Sequence, residues 1–349
     1  MSDPTPRPVH LSVLDHGPVT DSGPVGDALR HSTQLDQLAE RSGYHRLWVA
    51  EHHGRRWMAS STPPVLMAHL AANTSTIRIG SGALLLSNYA PLAVAEQFGT
   101  LEALHPGRID LDLGLGRAAG TDAVTAHALS PARPDFLEAF AELLAFFQGT
   151  FPAGHPYAEI VATPGRDTVP AVLLLGSGST SAQLAGQLGL PFAHGGHFAA
   201  ANTATGIAAY RAAFRPSAQL GAPYVLLSVG VIAAPTDQEA DQLNAAAGRH
   251  MARALAGDNQ PFPVDRPDRG PGRNPDSWPS DGHGRYVADT LATHVVGGPD
   301  TVRRGLTQLI DRTGADELLI TTIMPGYAER LRSYELVANA LQLETRKVA

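Results

Sequence analysis

Short apolar runs alternate with longer stretches of helical periodicity along most of the chain. Strand-like segments are read at His10–Leu14, Leu47–Ala50, Ile77–Leu86, Ile109–Leu115, Val172–Leu175, Pro191–His194, Tyr224–Ala233 and Glu317–Thr322. Between them lie amphipathic segments such as Gly26–Ser42, Pro63–Asn73, Pro91–Leu104, Asp135–Phe147, Pro299–Thr313 and Tyr327–Leu343. Apolar residues at i, i+3, i+4 and i+7 call for a helix, and brief apolar runs bounded by turn residues call for buried strands. Strands apolar on both faces belong to a parallel sheet covered by helices. About eight such units favour closure into an α/β (β/α)8 TIM barrel over an open sheet.

One stretch breaks the rhythm. Residues 257–285 are dominated by Pro, Gly and charged side chains and lack apolar periodicity. A long loop inserted between the seventh and eighth strands is either a lid over the barrel mouth or a disordered excursion. The whole of 1–349 otherwise reads as a single barrel domain.

Composition narrows the function classes. With 26 basic against 33 acidic residues, the formal net charge of −7 disfavours a broad nucleic-acid footprint. Cysteine is absent, which excludes disulfides and thiolate metal sites. The N-terminus has no secretory pattern and no segment reaches the apolar length of a membrane span, so a soluble cytoplasmic protein is expected.

Barrel enzymes carry their chemistry at the C-terminal strand ends. The second strand ends in Glu51-His52-His53. Strand alternation lets one of the two histidines point inward, and an ion-paired rim cluster is the plain alternative. A metal reading, with His194 and His197 as further ligands, is weak because HExxH and paired-Cys spacings are absent. The fourth strand ends in GLGRAAGTD, with Gly116 and Arg117. The fifth runs through Gly176-Ser177-Gly178-Ser179-Thr180 directly into a helix, where free amides and the macrodipole suit an anion. Arg117 on the neighbouring loop can close the far side of a phosphate. Each loop alone is an ordinary turn; on adjacent strands they point to a phosphate-bearing cofactor. GLGRAAG lacks Rossmann spacing, and neither a GxSxG elbow nor a Walker lysine is present.

The runs LSVLDHGPV, GYHRLWVAEHH, LAANTSTIRIGSGALLL, PLAVAEQFGTLEALHPGRIDLDLGLGRAAGTD and TGADELLITT resemble the bacterial luciferase-like flavin-dependent monooxygenases. Within these the chain is most like the antibiotic-tailoring oxygenases of polyketide pathways, from about His10 to Leu341. The resemblance implies a homodimeric barrel that takes reduced FMN from a separate NAD(P)H:flavin reductase. With dioxygen as co-substrate it would oxygenate a small organic molecule, for instance an aromatic polyketide. It also implies that His52 lies near the reactive edge of the flavin, with Glu51 and His53 supporting it. Gly82-Ala83 matches the position of a non-prolyl cis peptide against the flavin ring, Arg117 a phosphate-side arginine, and Ser177, Ser179 and Thr180 the phosphate cradle. A near-neutral pKa at His52 would suit an acid, a base or an anion stabiliser.

Two departures stand out. Relatives commonly have proline where this chain reads Leu86-Ser87-Asn88-Tyr89, and some carry Glu at the position of Gly176. Some members of the family use a deazaflavin for hydride transfer and others bind flavin without catalysis. The first would favour basic residues beyond Arg117, and few are evident there. Apolar residues on more than one face of Pro63–Asn73 and Pro91–Leu104 are consistent with a subunit contact.

Overall fold

The computed structural model describes residues 9–116, 123–129, 135–264 and 282–344. Its strands are β1 (His10–Asp15), β2 (Arg46–Val49), β3 (Arg78–Ser81), β4 (Leu84–Leu85) and β5 (Ile109–Gly114). They continue as β6 (Ala171–Gly176), β7 (Phe192–His194), β8 (Val225–Ala233), β9 (Val295–Gly297) and β10 (Glu317–Thr321). All pairings among these strands are parallel, and β10 joins β1 on one side and β8 on the other. That last pairing closes the circle into an eight-strand barrel with helices between the strands, as the alternation of patterns predicts.

Alternation along each strand sorts the side chains into two cores. Leu14, Trp48, Leu173, Ala193, Leu226 and Leu319 pack inside the barrel. Their alternate neighbours along the strands, among them Val13, Leu47, Leu174 and Leu318, face outward under the helices in a larger cluster that also holds Ile79 and Leu111. Gly80 shows how tight the interior is. A Cβ there would collide with the Trp48 ring and lie 2.7 Å from the Asp110 Cβ, so the missing side chain makes room for the indole.

The end of the barrel where the strands begin is closed by a buried charge network. Arg46 donates from Nε and NH2 to both oxygens of Glu317 at 2.8 and 3.1 Å, and from NH1 to Asp110 at 2.8 Å. Asp110 also accepts from Trp48 Nε1 and Arg78 Nε at 3.0 Å, and Glu317 from the Tyr224 hydroxyl at 2.9 Å. Burial opposes ionisation of Asp110, but the Arg46 and Arg78 guanidinium groups outweigh it and hold the carboxyl below the usual range. Two guanidinium groups thus balance two carboxylates.

The eight strand segments expected from sequence all form, with ends shifted by a few residues. The segment 77–86 splits into β3 and β4 around a cis Gly82–Ala83 peptide. β9 is an addition. It pairs with the last residues of β8, Val231 opposite Val295, outside the barrel circle. The expected loop 257–285 ends in a helix, Gly282–Leu291, and its first residues are fastened across the mouth. There Phe262 donates its amide to the Val19 carbonyl, while its own carbonyl accepts from Asp21, both at 2.8 Å. Residues 265–281 lie outside the described residues. No helix among the described residues is long and apolar enough to cross a membrane.

Candidate active site

A cavity of about 950 Å³ opens at the C-terminal ends of the strands. Its floor and walls come from the strand ends and the residues that follow them: His16 after β1, His52 after β2, the Gly82–Ala83 peptide, Gly114–Gly116 at the end of β5, and Gly176–Gly178, Thr180 and Ser181 at the end of β6. A barrel delivers all of these to one place because every strand ends at the same rim.

The three residues Glu51, His52 and His53 separate into different jobs. Glu51 is buried and points away from solvent, accepting from the Leu85 amide at 2.9 Å, Asn88 Nδ2 at 2.7 Å and His53 Nε2 at 2.9 Å. It therefore ties the end of β2 to the β4 segment and the 3-10 turn at Leu86–Asn88. His53 is the outer partner of that carboxylate. Glu51 and His52 both line the cavity and His53 does not; the His52 ring has Nδ1 without a hydrogen bond among the described residues.

His52 does not stand alone. The His16 ring lies 5.3 Å from it, and the His197 ring 5.7 Å from His16. Both ring nitrogens of buried His16 are without partners. Beyond them, His294 lines the same cavity, and His250 stacks on Phe262 at 3.6 Å with Trp57 edge-on at 5.3 Å. Among the described residues no three His, Asp or Glu side chains converge as metal ligands would.

Burial lowers the histidine pKa values throughout. That of His52 falls to about 4, first through loss of water and then through the neighbouring Arg55 and His53 side chains. His197 falls to about 3, and His250 and His294 to about 4, with burial again the first cause. The near-neutral value anticipated for His52 gives way to a lowered one: buried in the wall of the cavity, its imidazole is neutral at neutral pH. This has a consequence for stability. A histidine with a folded pKa below its unfolded value contributes stability that is complete above 6.5 and is lost as pH falls towards and through about 4. The urea midpoint should therefore decline as pH is lowered through this window, and His294→Gln should make the decline shallower. A midpoint independent of pH in that range would contradict the neutral cluster.

Across the cavity, the helix Ser179–Gln187 starts at Gly178 with no side-chain cap and no acidic residue in its first turn. Its open amides end beside Gly176, Ser177, Gly178 and Thr180, all of which line the cavity. Ser179 is the first helical residue and does not line it. A Cβ at Gly116 or Gly178 would have no atom within 4 Å, so both glycines border open space. Arg117 lies outside the described residues.

Of the residues singled out in the sequence, the structure brings Glu51, His52, Gly82, Ala83, Gly116, Gly176, Ser177, Gly178 and Thr180 to one cavity, and leaves His53 and Ser179 off its lining. Sequence reasoning missed His16, His250 and His294. His16 follows β1 directly, so the rule that singled out Glu51-His52-His53 applies to it equally. His250 sits mid-helix and His294 just before β9, where no strand-end signal exists.

The barrel with this rim constellation can be compared with known proteins. The family model described as "Luciferase-like monooxygenase" matches residues 8–317. The chain belongs to the luciferase-like monooxygenase family. It is 38% identical to the "Luciferase-like monooxygenase" of Escherichia coli (strain K12) over 334 residues, which is 95% of this chain and 97% of that one. Among solved structures, apo-MsnO8 superposes with a TM-score of 0.83 at 36% identity, covering 97% of this chain and all 100% of the other. The oxygenating constituent of 3,6-diketocamphane monooxygenase from Pseudomonas putida, in complex with FMN, has a TM-score of 0.69 at 19% identity, covering 97% and 99%, and shares the fold. As a luciferase-like monooxygenase the chain is an oxidoreductase.

Proposed function

We propose that this luciferase-like monooxygenase is the oxygenating component of a two-component system. It takes reduced FMN from a separate NAD(P)H:flavin reductase and uses dioxygen to hydroxylate or epoxidise a small organic substrate. The observation carrying this reading is one cavity bounded by an uncapped helix N-terminus on one side and a buried, cavity-facing histidine on the other. FMN needs both: an anion site for its phosphate, and a water-poor chamber with a proton-handling group for its ring.

The residues present fit the cofactor. The amides at Gly178–Thr180 would hold the phosphate, with Arg117 closing it, and the glycines at 116 and 178 leave the approach clear. The backbone at Gly82–Ala83 and the side-chain-free Gly114 would form the wall against the ring; a Cβ at Gly114 would press on Leu85 at 3.1 Å and Ala83 at 3.3 Å. The bound flavin supplies oxygen activation, which no side chain of this chain can perform. The protein excludes water, orients the substrate, and holds a proton site at the cavity-facing ring of His52. One oxygen atom enters the substrate and the other leaves as water. An anion bound beside His52 would draw its pKa upward again, so the ring can accept a proton during turnover.

Anaerobic titration with reduced FMN, and in parallel with a reduced deazaflavin, tests the cofactor. Tighter binding of the deazaflavin would replace this reading with hydride transfer. Gly178→Asp sharpens the test, because its side chain enters open space and should not disturb folding. A carboxylate at that helix start should weaken FMN by roughly tenfold or more through charge repulsion, and leave phosphate-free riboflavin unaffected. Equal losses for both ligands would remove the phosphate from this turn. Dimerisation through the two apolar helices belongs to the same proposal: Val65 is 70% and Leu104 66% exposed, and a mass measurement in solution decides it.

A further inference from the structure

The cavity divides by chemistry into two regions. Below lie the glycine-rich backbone turns assigned above to the flavin. Above lies an apolar chamber made by Trp57, His250, Met251, Ala254, Leu255 and Phe262. The row His52, His16 and His197 lines the same cavity, and those apolar and backbone surfaces do not explain it.

The hydrogen-bond pattern fixes what one of these rings offers. Ser228 Oγ lies 3.1 Å from the His194 carbonyl oxygen and 2.7 Å from His197 Nδ1. A carbonyl can only accept, so the single hydroxyl proton goes there. Both bonds hold together only if the serine oxygen accepts a proton carried on His197 Nδ1. His197 Nε2 is then a bare acceptor, and its ring lines the cavity. His16 adds one N–H and one bare nitrogen, both buried and neither hydrogen-bonded within the protein. Leaving such buried groups unmet is costly, which makes them a demand on whatever fills the cavity.

We propose that this imidazole row recognises a hydroxyl group on an otherwise apolar, uncharged substrate, such as a phenol or an alcohol. The hydroxyl donates to His197 Nε2 and accepts from His16, while the apolar body fills the chamber under Trp57 and Phe262. A ketone or an ether can satisfy His16 but not the bare nitrogen of His197. A carboxylate would place its charge against that lone pair. Suppressed protonation of His16 and His197, caused first by burial and then by the neighbouring rings, keeps the row in its neutral, acceptor-bearing form. Glu51 does not compete for the substrate, since its carboxylate already serves Leu85, Asn88 and His53.

The inference rests on the flavin reading only in assigning the lower region to the cofactor, and the two can be tested apart. Binding of 1-naphthol, 1-methoxynaphthalene and 1-naphthoate is measured by calorimetry with and without oxidised FMN, and FMN binding is followed separately by its fluorescence. Naphthol should bind about tenfold more tightly than the ether, the size expected for one well-made buried hydrogen bond, and more tightly than the acid. His197→Phe should erase that preference and His197→Gln, whose Oε1 still accepts, should retain much of it. Nitrogen NMR should show His197 protonated at Nδ1 in the wild type and a mixed tautomer in Ser228→Ala, a readout that needs no ligand. Equal affinity for naphthol and ether, stronger binding of naphthoate, or a His197 protonated at Nε2 would each overturn the proposal. Naphthol preference without FMN binding would sink the flavin reading and leave this one standing.

Discussion

Replacing His52 by alanine is expected to lower substrate oxygenation by about 10²–10⁴-fold, the usual contribution of a positioned acid–base group. FMN affinity should stay within about threefold, because the phosphate amides and the Gly82–Ala83 wall are untouched; a loss confined to turnover marks a group that acts in the reaction and not in binding. The same measurement on Glu51→Gln should give a different pattern. Glu51 accepts from the Leu85 amide, Asn88 and His53, so its loss loosens the wall and should raise the flavin dissociation constant together with lowering turnover. Reductase-supplied FMN, dissolved oxygen and a phenolic substrate suffice for the assay. Unchanged turnover in the alanine variant would remove His52 from the chemistry.

Arg46→Met should destabilise the fold by about 3–5 kcal/mol, the usual range for removing one partner of a buried ion pair. The methionine stem occupies similar volume, so the loss is electrostatic. Asp110 keeps Arg78, but Glu317 retains only the hydroxyls of Tyr224 and Ser12 against its buried charge. The double variant Arg46→Met/Glu317→Gln should therefore recover part of the loss, since a neutral amide is far cheaper to bury than an unpaired carboxylate. Urea unfolding of the two variants reads both effects. A single variant within about 1 kcal/mol of wild type, typical of a surface pair, would mean that this network contributes little. The cavity lies at the opposite end of the strands, so flavin binding by the folded variants should be normal.

Much of the barrel was legible because its signals are local. The apolar runs of Leu11–Leu14 and Val225–Ala233 and the helical periodicity of Pro91–Leu104 and Pro299–Thr313 each depend on neighbours in sequence. β9 escaped notice because three residues, Val295–Gly297, carry no periodicity of their own and are held by pairing with β8. The helix Gly282–Leu291 was hidden by the Pro- and Gly-rich residues before it, whose composition dominates any window that includes them.

The site divides along the same line. Sequence by itself determined that strands two, four and five end in chemically capable residues, and that Glu51, His52 and His53 stand together, because strand ends and turn glycines are written in consecutive residues. Only the tertiary structure decided that His53 stays off the cavity and that Glu51's carboxylate is engaged by Leu85 and Asn88, more than 30 positions away, while the His52 ring keeps a free nitrogen. It also decided that His52 is neutral and has His16 and His197 for neighbours. A pKa is set by water exclusion and nearby charge, and both are properties of what the closed barrel brings together from distant parts of the chain.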